Sequence, residues 1–158
     1  MTMQKDHADH ASVKIHPPIL LLLHLLSAYL LNRFFPLSIE FPNVLSWAGY
    51  VLVLIGLALP FSAVIQFMQA KTTVDPHGSV TKIVTNGAYR FTRNPIYLGF
   101  VCMLIGFLFI FKSYWGLILS PLFIVLMNVL VINYEEAYLE KKFGEQFTSY
   151  TSRVRRWL

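Results

Sequence analysis

Gly87-Ala88-Tyr89-Arg90-Phe91-Thr92-Arg93-Asn94-Pro95-Ile96-Tyr97 sets two arginines, an Asn-Pro step and two tyrosines directly before an apolar run. Glu135-Glu136 stands directly after another such run. Ionisable side chains are costly in hydrocarbon and are uncommon at its edge unless they have something to bind. Two clusters of this kind at one membrane surface describe a polar pocket at the lipid boundary.

Working outward, no Asp, Glu, Lys or Arg falls in residues 15–32, 41–70, 94–111 or 113–134. The chain is 56% hydrophobic and 13% charged, with mean hydropathy +0.56, which lies outside the soluble globular range. A helix rises 1.5 Å per residue, so roughly 20 apolar residues cross a 30 Å hydrocarbon core. The four uncharged windows therefore predict an all-α, integral membrane bundle of four transmembrane helices, with a helical cytoplasmic extension at the C-terminus. The first window does not read as a cleaved signal peptide, because acids and histidines precede it and no small-residue cleavage site follows.

Four spans would put the N-terminus, the 71–93 loop and the C-terminus on one side. That side holds Lys5, Lys14, Lys71, Lys82, Arg90, Arg93, Lys141, Lys142, Arg153, Arg155 and Arg156, against only Arg33 and Lys112 opposite. The positive-inside rule makes the basic side, with both termini, cytoplasmic. The net charge of +5 is explained by attraction to anionic headgroups, so no nucleic-acid partner is expected.

Residues 1–14 read as a polar, disordered tail ahead of a single domain over 15–158. The tail's Asp6-His7-Ala8-Asp9-His10 resembles a metal-ligand cluster, but without an apolar anchor no metal site is expected. Within the spans, Gly49, Gly56 and Ala63 recur at seven-residue intervals, as do Gly99 and Gly106. Such stripes let helix backbones approach closely. Cys102 reads as a packed small residue and His24 as a hydrogen-bonded core residue. Lys112-Ser113-Tyr114-Trp115 is too short a link for anything but antiparallel neighbours. Asp75-Pro76-His77-Gly78 and Asn86-Gly87 are turn signals. After Glu136 the helix is expected to run to Phe143 and stop at Gly144. The remaining tail, with Phe147, Tyr150, Arg153, Arg155, Arg156 and Trp157, is expected to lie along the membrane surface.

A residue before proline is pushed out of the α region, so Asn94 should cap a helix that Pro95 begins. The N–H groups of that helix end, reinforced by Arg90 and Arg93, suit an anionic group. Their alternative use is to anchor the helix to lipid phosphates. Adjacent helical residues diverge by about 100°, so Glu135 and Glu136 cannot share a face. One carboxylate would point into the bundle toward a cationic ligand, with tyrosine faces adding cation–π attraction. The other would face water or a lysine.

Residues 81–97 and 135 onward resemble the superfamily of phospholipid methyltransferases and isoprenylcysteine carboxyl methyltransferases. The matching elements are Ile83-Val84-Thr85-Asn86-Gly87-Ala88-Tyr89-Arg90 and Arg93-Asn94-Pro95-Ile96-Tyr97. Glu135-Glu136, Leu139, Phe143-Gly144-Glu145, Tyr150 and Arg153-Val154-Arg155 complete the pattern. The resemblance implies S-adenosylmethionine as cofactor, contacted by Thr81, Lys82, Ile83, Val84, Tyr89, Asn94, Pro95, Ile96, Tyr97 and Glu135. It implies chemistry assisted by Arg93 and Glu136, and a lipophilic or small membrane-associated acceptor. Two positions depart from the family pattern: Asn94 stands where histidine is commoner, and Val131 where carboxyl methyltransferases carry a substrate-binding arginine. The second departure favours neutral or amine acceptors. Two other readings remain: a nicotinamide-dependent membrane reductase of the steroid-reductase type, and a non-catalytic membrane scaffold or lipid binder.

Overall fold

The computed structural model describes residues 9–75 and 78–158. Among these residues the long regular elements are all helices, with α1 at Pro17–Phe34, α2 at Ser46–Gln69 and α3 at Pro95–Phe111. Then come α4 at Trp115–Met127, α5 at Asn133–Phe143 and α6 at Glu145–Thr151. A π turn, Asn128–Ile132, joins α4 to α5 as one continuous rod. Pro17 and Pro18 open α1, where their missing N–H groups cost nothing.

Three helical stretches are long and apolar enough to cross a membrane: Pro17–Phe34, Asn43–Gln69 and Trp115–Phe143. The remaining expected span is the shorter apolar helix α3. Helix α3 has 17 residues, about 26 Å at 1.5 Å each, because Asn94-Pro95 delays its start and Lys112 ends it in a left-handed conformation (φ 48°).

Helix α3 is the centre of the bundle, with α2 on one side and α1 and α4 on the other. The seam with α2 is built from the two small-residue stripes. A Cβ on Gly56 would stand 2.7 Å from the Gly99 carbonyl, and one on Gly49 2.8 Å from the Gly106 carbonyl. Both are closer than real Cβ atoms approach. Ala63 continues the stripe, fully buried. The rest of α2, including Leu54, Phe61 and Met68, presents exposed apolar side chains. On the other side, Phe100, Leu104, Phe123, Met127, Val131 and Ile132 form the main core. His24 sits in it edge-on to Phe123 at 5.2 Å, with its Nδ1–H donating to the Leu20 carbonyl at 2.9 Å.

At the Lys112 end, Ser38 bridges Ser113 and the Trp115 indole N–H donates to the Phe35 carbonyl at 2.7 Å. At the Pro95 end, one expectation changes. Residues 1–8 lie outside the described residues, but residues 9–14 of the expected polar tail are packed. Ala11 and Val13 are buried in the core, and the Lys14 N–H donates to the Leu130 carbonyl at 3.0 Å. The metal-like Asp6-His7-Ala8-Asp9-His10 run lies only partly within the described residues. Of the Asp75–Gly78 turn, Pro76 and His77 lie outside them, while the Gly78 N–H closes on the Asp75 carbonyl at 2.9 Å.

Candidate functional site

The C-terminal tail shapes the site, and it does so by leaving the path expected of it. After the seven residues of α6 the chain folds back over the start of α3 instead of extending along a membrane surface. The Arg155 carbonyl accepts the Arg93 N–H at 2.9 Å. The Arg156 carbonyl accepts both the Thr92 hydroxyl at 3.2 Å and the Asn94 side-chain N–H at 2.9 Å. Trp157 donates its indole N–H to the Asn128 side chain at 3.3 Å. The physical reason lies in the residues before Pro95, whose donors have no helix to satisfy them and find the tail carbonyls instead.

Asn94 is corrected accordingly. It occupies the N-cap position, but its side chain makes no cap hydrogen bond; its amide is spent on Arg156. Its own N–H donates to the Thr92 hydroxyl at 3.1 Å.

The glutamates are also rearranged relative to expectation. The Tyr97 hydroxyl donates to Glu135 Oε1 at 2.7 Å. Glu136 faces neither open water nor a lysine. It pairs with Arg93 at 3.2 Å and with both Nε and Nη2 of Arg156. Two arginines share the one carboxylate, each through a charge-assisted contact. Nε of Arg93 is buried and has no hydrogen-bond partner among the described residues. A buried donor without a partner costs free energy, which marks it as waiting for an acceptor.

These groups line one cavity of about 120 Å³. Of the residues singled out from sequence, Lys82, Ile83, Val84, Tyr89, Asn94, Ile96, Tyr97 and Glu135 line it, together with Arg93 and Glu136. Thr81 and Pro95 do not: the Thr81 hydroxyl turns to the Lys71 carbonyl at 3.0 Å, and Pro95 is buried in the bundle. Phe67, Val74, Tyr138, Leu139, Phe147 and Tyr150 are the additions that complete the wall. Tyr138 was legible as the residue three beyond Glu135, hence on its helix face. Phe67 carried no signal, since it is one apolar residue among many at the end of α2.

The wall is aromatic and dry. Phe67 meets Tyr89 edge-on at 5.7 Å, and the Tyr150 hydroxyl donates to the Tyr89 carbonyl at 2.8 Å. Burial, then the charge of Glu135, pushes the Tyr89 hydroxyl well above its ordinary pKa. Burial raises that of Tyr150 to about 12, with Arg93 pulling the other way. Both phenols are neutral donors and stacking surfaces at neutral pH.

A polar latch joins the N-terminal segment to the cavity wall. Asp9 pairs with Lys142 at 2.6 Å and is bonded by the Ser79 hydroxyl. Lys142 also donates to Ser79 at 2.9 Å and to Tyr138 at 3.1 Å, and the Val80 N–H donates to the Tyr138 hydroxyl at 3.2 Å. The N-terminal segment, the 71–93 loop and α5 are thereby tied together beside the cavity that Val80 and Tyr138 line. Among the described residues no cluster of His, Cys, Asp and Glu could hold a metal ion.

With this geometry in view, comparison with known proteins gives the family. Residues 44–146 match the phospholipid methyltransferase family model, and the chain belongs to that family. A probable protein-S-isoprenylcysteine O-methyltransferase of Oryza sativa subsp. indica is 30% identical over 122 residues, which is 69% of this chain and 58% of that protein. Protein-S-isoprenylcysteine O-methyltransferase B of Arabidopsis thaliana is 32% identical over 80 residues, 46% of this chain and 37% of the relative. An uncharacterized protein of Haemophilus influenzae is 49% identical over 37 residues, 23% of this chain and 59% of the relative. The chain thus spans somewhat over half the length of the rice relative it matches. No solved structure matches. The family and the three long apolar helices together describe an integral membrane protein.

Proposed function

We propose that this member of the phospholipid methyltransferase family transfers a methyl group from S-adenosylmethionine to a lipophilic or small membrane-associated acceptor. One observation carries the reading: the carboxylate of Glu135 and the unpartnered Nε–H of Arg93 line the same aromatic-walled cavity. A ligand with an ammonium and a carboxylate on neighbouring atoms answers both. Glu135 would accept from the ammonium and Arg93 would donate to the carboxylate. Phe67, Tyr89 and Phe147 offer faces for an aromatic base and a cationic centre. The residues present therefore fit S-adenosylmethionine, which when bound supplies an electrophilic methyl on its sulfonium.

The protein's own contribution is alignment and exclusion of water. Arg93 is held at its backbone by Arg155 and at its guanidinium by Glu136. Ile83, Val84 and Ile96 close the wall with apolar surface. Fixing two reactants in register is worth roughly 7–11 kcal/mol in favourable cases. Glu136, whose oxygens are taken up by two arginines, serves to aim Arg93. The cavity is smaller than the ~300–1,000 Å³ usual for small-molecule sites. A nucleoside-sized ligand would therefore extend through the mouth, displacing the latch. Val131 is fully buried and supplies no cation for an acceptor carboxylate, which favours an amine or neutral acceptor.

In the membrane, α3 would complete a four-span bundle with both termini cytoplasmic, in keeping with eleven of thirteen basic residues on that side. Cysteines introduced at the exposed positions Ser12 and Ser152 should then resist labelling from outside intact cells.

The decisive experiment is calorimetry of the detergent-purified protein against S-adenosylmethionine and NADPH in parallel. Binding of the first alone is expected. Binding of NADPH alone would transfer the site to a reductase, and binding of neither would leave a scaffold or lipid binder.

A further inference from the structure

A second, open cleft of about 480 Å³ lies between the turn at 85–90 and the turn at 150–154. Thr85, Asn86, Arg90, Tyr150, Arg153 and Val154 line it, with no carboxylate among them. The four arginines around the two cavities divide cleanly. Arg93 and Arg156 are committed to Glu136. Arg90 and Arg153 make no ion pair among the described residues and are exposed. Arg153 donates Nε–H to the Ser149 carbonyl at 3.0 Å, which fixes the side chain and leaves its terminal amines for another partner. The cleft also offers the neutral polar side chains of Thr85 and Asn86.

Its position says what that partner is. Arg90 stands five residues before the first residue of α3, at the end of the apolar segment. Its neighbour Phe91 is 76% exposed, the most exposed large apolar side chain among the described residues. An exposed aromatic beside unpaired arginines matches a headgroup boundary, where the ring sits among lipids and guanidinium groups meet phosphate. We propose that this cleft binds the phosphate of an anionic phospholipid, at a site separate from the methyl-transfer cavity. Two guanidinium groups give a phosphate paired, directional hydrogen bonds. Tyr150 lines both spaces, so a bound headgroup would rest against one wall of the cavity without entering it. The inference stands on the cleft itself and does not require that the cavity bind S-adenosylmethionine.

The test is native mass spectrometry of the detergent-purified full chain, titrated separately with phosphatidylglycerol, phosphatidylcholine and inorganic phosphate. Phosphatidylglycerol is expected to be retained at least about tenfold more tightly than phosphatidylcholine, since phosphatidylcholine's cation offsets its phosphate. The Arg90→Gln/Arg153→Gln double variant should lose that preference. Lys112→Gln, altering a basic residue at the other end of α3, should keep it. Both altered arginines are exposed, so an unchanged melting temperature is expected and verifies the fold. Arg153→Lys, retaining charge but not the planar fork, should fall between parent and double variant. Equal retention of phosphatidylglycerol by parent and double variant would overturn the proposal. So would retention of inorganic phosphate as tight as that of the lipid, which would make this a site for a soluble anion.

Discussion

Along the α2–α3 seam the protein is held by shape alone: glycine backbones lie against one another and no ionisable side chain takes part. A few residues away, at the entry to α3, nearly every contact is polar. The tail carbonyls of Arg155 and Arg156, the arginine pair on Glu136 and the Tyr97–Glu135 bond converge there. One buried donor of Arg93 is still left over. Where the glycines meet, the seam is finished as a structure. The buried side-chain atoms left without a partner among the described residues, Arg93 Nε and Gln66 Oε1 beside Gly87, lie at the other end, toward the proposed ligand. The difference separates what stabilises the protein from what it binds with, and substitutions in the two regions should fail in different ways.

The largest effect is expected in the seam. Gly56→Leu would drive a side chain into the Gly99 carbonyl, 2.7 Å from where its Cβ must sit. The neighbour is backbone and cannot rotate away, so the helices must part. The cost should exceed the ~1–3 kcal/mol of ordinary overpacking, and size-exclusion chromatography should show loss of the folded species. A well-folded Gly56→Leu protein would mean that the seam is loose, and the comparison would collapse.

Next in size is Glu135→Gln, in the region that should fail by function. It keeps the shape and one acceptor oxygen for Tyr97 while removing the charge. Affinity for S-adenosylmethionine should fall by at least ~1 kcal/mol, the value of one charge-assisted hydrogen bond. The melting temperature should change little. Unchanged affinity would remove Glu135 from the cofactor site, and a collapse of the fold would show it to be structural after all.

The same division explains what could be read without coordinates. The seam was legible because its information is local and periodic: Gly49, Gly56 and Ala63 announce a face, and Gly99 and Gly106 announce its partner. The link at Lys112 and the stop at Gly144 were legible for the same reason. The entry was only half legible. Tyr89, Asn94, Tyr97 and Glu135 could be singled out as polar groups at an apolar boundary. Nothing in the order of residues announced that Arg156 would return to Glu136 across 20 positions, or that the Asn94 amide would serve the tail and not its own helix. The π turn at Asn128–Ile132 was hidden as well. Its residues are ordinary helix formers, yet it changes the register between Asn128 and Glu135. Seven residues apart, they serve different partners: Trp157 for one and Tyr97 for the other.

Asn94 gives the third prediction, of middle size. Its role is to donate from Nδ2 to the Arg156 carbonyl, so the substitution that matters is one that removes a donor. Asn94→Asp would set a carboxylate against that carbonyl and loosen the tail, whereas Asn94→His keeps a ring N–H able to donate. Asn94→Ala should cost about 0.5–1.5 kcal/mol, one net hydrogen bond. Melting temperatures should therefore order parent and His above Ala, and Ala above Asp. An Asp variant as stable as the parent would show that the tail is not held through this amide, and the entry would look more like the seam than argued here.

The smallest effect is expected at the latch, the one part of the entry that is exposed. The Lys142 ammonium, and then the Ser79 hydroxyl, hold the Asp9 carboxyl down at about 2. A carboxyl with a depressed pKa contributes fully above its ordinary value of ~3.9, and the contribution is lost as pH falls through about 2. Between pH 5 and 8 the latch should thus be indifferent to pH. Asp9→Asn removes its charge but leaves Lys142 bonded to Ser79 and Tyr138, so the fold should be unchanged. Because the latch ties together segments that line the cavity, and the cavity is too small to enclose a nucleoside-sized ligand, loosening it should speed both association and release of S-adenosylmethionine. The shift in affinity should be slight. Stopped-flow measurements on parent and variant at pH 5 and pH 8 would read this directly. Faster exchange of the variant at both values fits a latch that must open for the ligand. Identical rates in the two proteins would mean that the ligand enters elsewhere, with the side of the cavity facing the bilayer as the remaining route.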